Sequence, residues 1–139
     1  MKPFYWALLA ALTWGCVPVL EKIGLSKIPV FPGLLIRCLG VILGAIILLV
    51  WKHDVIRESL VKVTPAWGYL IAGGFLASVV GQIFFYNALK DGEASKVVPL
   101  AASYPLISFL IGVIFLAEKL TLAKVGGLLF IILGVVLLK

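Results

Sequence analysis

Long apolar runs separated by short charged stretches constrain this chain more than any other feature. Five such runs lie at roughly residues 4–22, 32–51, 66–89, 94–117 and 122–138. A helix needs about 20 consecutive apolar residues to cross a hydrocarbon core of about 30 Å. In lipid every backbone donor and acceptor must be satisfied within the protein, which selects helices for spans of this kind. The pattern predicts an all-α polytopic membrane protein, with five transmembrane helices in one domain over residues 1–139. With 63% hydrophobic and 13% charged residues, the chain excludes an ordinary soluble domain, which carries about 25% charge.

An odd number of spans puts alternate loops on opposite sides of the membrane. Lys2, Lys52, Arg57, Lys62, Lys119 and Lys124 then fall on the N-terminal side, and Lys22, Lys27, Arg37, Lys90, Lys96 and Lys139 on the other. The acids divide evenly too: Asp54, Glu58 and Glu118 against Glu21, Asp91 and Glu93. Orientation is normally set by an excess of Lys and Arg in cytoplasmic loops. No such excess exists here, so insertion in both orientations is an expectation of the sequence.

The net charge of +6 is scattered through short loops and balanced locally by acids. It points to anionic membrane lipid rather than nucleic acid. His53 is the single histidine, so no histidine-based metal cluster and no cofactor site is expected. Cys16 and Cys38 sit inside apolar runs and read as small core residues rather than a disulfide or ligand pair. There is no paired carboxylate inside a span, no GxSxG, no phosphate-binding glycine loop and no CxxC, so an enzyme is not expected. The opening MKPFYWALLAALTWG resembles a signal sequence, but no small-residue cleavage site precedes a polar start. It is read as a permanent span.

Several residues interrupt the apolar spans. Pro18 should bend or loosen the end of the first helix. GLSKIPVFPG, from Gly24 to Gly33, is a short connection stiffened by Pro29 and Pro32. In the second span Gly40 and Gly44 form a GxxxG pair suited to close helix contact. Residues 52–65 interleave Val55, Ile56, Leu60, Val61 and Val63 with charges, as an interfacial helix would. The third span carries a run of small residues, Gly68, Gly73, Gly74, Ala77, Ser78 and Gly81. Pro99 and Pro105 flank AASY and should distort the fourth span where it is most polar. The fifth span has no polar group after Lys124 and reads as packing or a dimer contact.

Arg37 lies one turn inside its span. It either snorkels to the interface, anchors or gates an anionic substrate group, or pairs with Glu21 on the adjacent helix. Trp14 lies mid-span, where an aromatic belt does not explain it; it either packs or stacks on a substrate. Gln82, Tyr86, Asn87, Ser103 and Tyr104 form the remaining polar set. They either bond helix to helix or line a cavity that binds substrate.

The stretch EASKVVPLAASYPLISFLIGVIFLAEKLTLAKVGGLLFIILGVVLL, Glu93 to Leu138, resembles the EamA domain of the drug/metabolite transporter superfamily. FFYNAL (Phe84 to Leu89), Pro99, Tyr104-Pro105, Glu118 and the Gly126 to Gly134 stretch carry the likeness. WGCVPVLEK (Trp14 to Lys22) and Arg37 extend it over essentially the whole chain. The resemblance implies one five-span half of an inverted-repeat transporter. Most such relatives join two inverted halves in one polypeptide and export small metabolites, such as amino acids. A single half implies an antiparallel homodimer or a half-sized heterodimer in the cell inner or plasma membrane, working as a secondary transporter by alternating access. Its cavity would be lined mainly by the first four spans, with Pro99 and Glu118 architectural. The alternative is a non-transporting accessory subunit packed against a partner. The related small multidrug-resistance proteins have four spans and a central glutamate in the first. Here Trp14 holds the middle and the nearest acid is Glu21, which argues against that group.

Overall fold

The computed structural model describes residues 3–61 and 64–138. Lys2, Lys62, Val63 and Lys139, used above for charge and for the interfacial helix, lie outside the described residues, as does the side chain of Val61. Helices are the regular elements among the described residues, which hold no strands. Helix α1 covers Pro3–Leu25, α2 Val30–Trp51, α3 His53–Val61 and α4 Ala66–Asp91. Helices α5 (Ala94–Ala101) and α6 (Pro105–Phe115) together make one apolar stretch, and α7 covers Leu122–Leu137.

Among the described residues, four stretches are long and apolar enough to cross a bilayer: α1, α2, α4 and Ala94–Phe115, of 23, 22, 26 and 22 residues. This is an all-α polytopic membrane protein. Helix α7 is the exception in length. Its 16 residues extend about 24 Å at 1.5 Å per residue, short of a core of about 30 Å.

The chain divides into two compact units, and the division falls inside α1 just after Pro18. One unit is Leu20–Lys90. The other joins the residues up to Val19 with those from Asp91 onward.

In the Leu20–Lys90 unit, α1 turns into α2 through a short reversal. The N–H groups of Lys27 and Ile28 both donate to the Gly24 carbonyl at 3.1 Å. Pro29 then takes an extended conformation (φ −60°, ψ 157°) at the start of α2, as its ring permits. Leu25, Val30, Leu34, Tyr86 and Leu89 are the buried apolar residues, drawn from α1, α2 and α4. Gly33 allows this approach, because a Cβ there would lie 3.1 Å from Leu25 Cδ2 and 3.9 Å from Tyr86 Cε2. Lys22 Nζ donates to the carbonyls of Leu89 and, at 2.9 Å, Lys90. It thereby caps the negative end of α4.

Helix α4 is not uniform. Residues Leu76–Val80 form a π-turn, closed by the Gly81 N–H donating to the Leu76 carbonyl. A Cβ on Gly81 would sit 3.1 Å from that carbonyl oxygen, so glycine suits the widened turn. The other small residues are not used for packing in this way. A Cβ on Gly40, Gly44, Gly68, Gly73 or Gly74 would meet nothing within 4 Å. The contact anticipated from GxxxG is therefore absent among the described residues. Helix α3 has the charge-interleaved character expected of an interfacial helix, following a break at Lys52 (φ −119°, ψ 32°). The Lys52 ammonium lies 4.9 Å from the Trp51 ring centroid, a cation–π contact.

In the other unit, α5 gives way to α6 at Ala102–Tyr104. Pro105 has no N–H to offer the Ala101 carbonyl, which accepts instead from Tyr104 N–H at 3.3 Å. Pro99 lies within α5, and Pro105 opens α6. Pro18 is likewise accommodated inside a continuous α1. Helix α6 ends where Ala117 adopts φ 51°, in the left-handed region that normally favours glycine. That turn lets the Glu118 N–H reach back to the Gly112 carbonyl at 3.2 Å. The Glu118 carboxylate then lies over Gly112, with Oε1 3.4 Å from where a Cβ would be, and accepts from Lys124 Nζ at 3.0 Å. The Thr121 hydroxyl caps α7 by accepting from Lys124 N–H at 3.3 Å.

Candidate functional site

Three polar side chains of the Leu20–Lys90 unit converge on one carboxylate oxygen. Glu21 Oε1 accepts from Arg37 Nε at 3.1 Å, from Gln82 Nε2 at 3.1 Å and from the Tyr86 hydroxyl at 2.9 Å. Glu21 comes from α1, Arg37 from α2, and Gln82 and Tyr86 from α4. The pair from α4 shares a face because its members are four residues apart. Their aim also depends on the π-turn, which inserts one extra residue into the helix just before Gln82.

Burial sets the strength of the cluster. The Glu21 side chain keeps only 10% of its accessible surface and Tyr86 only 3%, whereas Arg37 keeps 30%. A charged acceptor strengthens each bond to roughly 1.5–3 kcal/mol. Ionic charges so placed are retained only when paired, and here the formal charges of Glu21 and Arg37 cancel.

One donor in the cluster is left over. Arg37 Nη1 is buried and finds no hydrogen-bond partner among the described residues. Arg37 also lines an open pocket of about 230 Å³, together with Glu21 and Tyr86 and the aliphatic Leu20, Leu25, Ile28 and Ile36. This is a small apolar pocket with one ionic edge, the arrangement that orients a ligand by a few polar groups.

The other sequence candidates lie elsewhere. Asn87 turns back on its own helix, donating to the Ile83 carbonyl at 2.8 Å. Ser103 does the same, donating to the Leu100 carbonyl at 2.7 Å. Trp14 is exposed (65%). Tyr104 is exposed as well and borders a groove with Ser108, Glu118 and Lys124 in its own unit. Cys16 and Cys38 are free. Cys16, on α1, is exposed rather than a core residue. His53 Nδ1 lies 3.3 Å from its neighbour Asp54. No group of three His, Cys, Asp or Glu suited to a metal ion occurs among the described residues.

The convergence of three donors on Glu21, and the Glu118–Lys124 pair, were not read from the sequence. The usable signal for the first was Arg37 one turn inside its span, Glu21 at the same-side end of the adjacent span, and a Gln-x-x-x-Tyr face on a third.

The fold and this cluster define a multi-pass membrane protein with an ion pair built into its helices. The chain belongs to the EamA-like transporter family, whose profile matches residues 1–139. It is 36% identical over 132 residues to the uncharacterized protein MJ1333.1 of Methanocaldococcus jannaschii, covering 95% of this chain and 92% of that one. It is 33% identical over 134 residues to an uncharacterized transporter in the cobO 3' region of Sinorhizobium sp., covering 96% of this chain and 94% of the relative. Against the uncharacterized protein PA1977 of Pseudomonas aeruginosa it is 30% identical over 132 residues, covering 90% of this chain but 44% of that one. No solved structure matches it.

Proposed function

We propose that the protein is a secondary transporter rather than an enzyme, exporting a small organic metabolite across the cell inner or plasma membrane. Two protomers, one inverted relative to the other, form the working unit and alternate access to a cavity at their interface. The carrying observation is the three-donor cluster on Glu21, within an apolar chain that matches a transporter family end to end. Ionisable residues inside membrane helices are costly and concentrate where substrates or ions pass. The match to less than half of the Pseudomonas relative and the even charge count both support a half-sized protomer with an inverted copy. An inverted copy of a five-span chain would supply the second half of an inverted-repeat architecture.

In this reading Arg37 biases the cavity entrance electrostatically, and Glu21 sets how much of that charge a solute feels. Gln82 and Tyr86 hold Glu21 in place and are available to a solute when the pair opens. Trp14, Asn87, Ser103 and Tyr104 are tested singly as further substrate contacts. The deciding experiment is counterflow in proteoliposomes across a metabolite panel. A folded protein that moves none of the panel, and that purifies with a stoichiometric partner, would instead be an accessory membrane subunit.

A further inference from the structure

We propose that the groove between the end of α2 and helix α3 binds an anionic phospholipid, with the phosphate on Arg57 and an acyl chain against Leu49, Ile56 and Leu60. The site lies apart from the Glu21 cluster and does not depend on what the protein carries.

Three observations carry it. The first is how the groove is lined. It measures about 380 Å³ and is bounded by Leu49 of α2 and by His53, Ile56, Arg57 and Leu60 of α3. Residues four apart share a helix face, so His53 lies with Arg57 and Ile56 with Leu60, a basic strip beside an apolar one. Asp54 and Glu58, the acids of α3, are not among the lining residues.

The second observation is charge. Arg57 is exposed and has no hydrogen-bond or ion-pair partner among the described residues. His53 instead has Asp54 beside it, at 3.3 Å. Arg57 is therefore the cation that the groove offers, and its guanidinium fork matches the geometry of a phosphate.

The third is depth. Trp51 ends α2, with the Lys52 ammonium 4.9 Å from its ring centroid. Tryptophan at the end of a span marks the headgroup level. Leu49, two residues earlier, lies on the hydrocarbon side of it, and the charge-interleaved α3 follows the interface. A phospholipid presents the matching pair, an anion at headgroup depth and an apolar chain just below. A net anionic headgroup suits the groove better than a zwitterionic one, whose ammonium would be brought next to Arg57 and Lys52.

The test titrates the unaltered full chain in detergent with phosphatidylglycerol and with phosphatidylcholine, and reads the affinity of each by native mass spectrometry. Phosphatidylglycerol should bind about fivefold more tightly, as one basic residue at a membrane surface implies. Arg57→Gln should bring the two lipids within about twofold of each other, and Arg57→Lys should keep most of the preference because the charge remains. Leu60→Ser should weaken both lipids about threefold or more and leave their ratio unchanged. Lys119→Gln, on the same side of the membrane in the five-span topology, should bind as the parent does. Equal affinity for the two lipids in the parent overturns the proposal, as does a preference that survives Arg57→Gln. An equal loss in Lys119→Gln would assign the preference to diffuse surface charge and overturn the site. Unchanged affinities in Leu60→Ser would mean that the groove is covered by protein, a second copy of this chain included, and that no acyl chain lies in it. Displacement of phosphatidylglycerol by inorganic phosphate would make the ligand a soluble anion and likewise overturn the lipid.

Discussion

Glu21 Oε1 accepts the Arg37 Nε–H at 3.1 Å across the α1–α2 pair. The two residues are 16 apart in sequence, and the short Gly24–Pro29 reversal brings them to the same level of adjacent helices. Glu21 is the more deeply buried partner, so it depends on Arg37 more than Arg37 depends on it. Removing either leaves a charge that lipid cannot solvate well. Glu21→Ala should therefore cost about 2 kcal/mol, below the ~3–5 kcal/mol of a fully buried pair, because Arg37 can relax outward. Thermal unfolding in detergent, followed by fluorescence-detected size exclusion, measures the change.

Tyr86→Phe removes one of the three donors and leaves the ring packing of this buried side chain intact. The expected loss is about 1–2 kcal/mol. A double-mutant cycle with Glu21→Ala should show the two changes to be strongly non-additive, since each removes the same hydrogen bond. Additive losses would place Tyr86 outside the cluster energetically.

Gly81→Ala puts a methyl group against the Leu76 carbonyl oxygen, 3.1 Å away. The π-turn must shift, and Gln82 and Tyr86 rotate relative to Glu21. Both stability and the Glu21–Tyr86 coupling energy should fall together. Gly74→Ala, on the same helix with open space around its Cα, should leave both unchanged.

Ala117→Gly should stabilise the protein by a few tenths to about 1 kcal/mol. Ala117 holds φ 51°, where an L side chain crowds its own backbone and glycine does not. The added freedom of glycine in the unfolded chain offsets part of the gain. A lowered melting midpoint would show that this loop gains nothing from glycine.

The even charge count predicts that a reporter fused after Lys139 is found on both sides of the membrane. Two added Lys residues in the Lys90–Glu93 loop should drive that loop to the cytoplasmic side. Such a variant should lose transport when expressed alone. It should recover when coexpressed with a variant biased the other way by Lys residues beside Arg57. Full activity from either biased variant alone excludes the inverted pair.

The segments between helices were the most legible part of the chain. Pro105 without an N–H, Pro29 with its fixed φ and the charge-interleaved run after Trp51 each impose a local consequence that needs no neighbour. The break at Ala102–Tyr104, the entry to α2 and helix α3 follow from them. Other features could not be read this way. Gly40 and Gly44 have the spacing of a helix contact, yet no helix meets them in the described chain; spacing states what a surface permits, not what covers it. Asn87 and Ser103 were grouped with Gln82 and Tyr86 by polarity alone. Each instead bonds a backbone carbonyl three or four residues back along the chain, the local alternative open to any short polar side chain.

The sequence by itself determined the class: apolar runs of span length in lipid must be helices, because backbone groups there have no water to turn to. It also determined that Arg37 would sit one turn inside its span, with Glu21 at the same-side end of the adjacent one. Only the tertiary structure decided what those charges do. The level at which α1 meets α2, and the extra residue in the α4 π-turn, bring Gln82, Tyr86 and Arg37 onto a single oxygen of Glu21. Helical periodicity states which residues share a face, but the register between helices comes from packing. Here that packing is set by Leu25, Gly33 and Tyr86, contributed by three different helices.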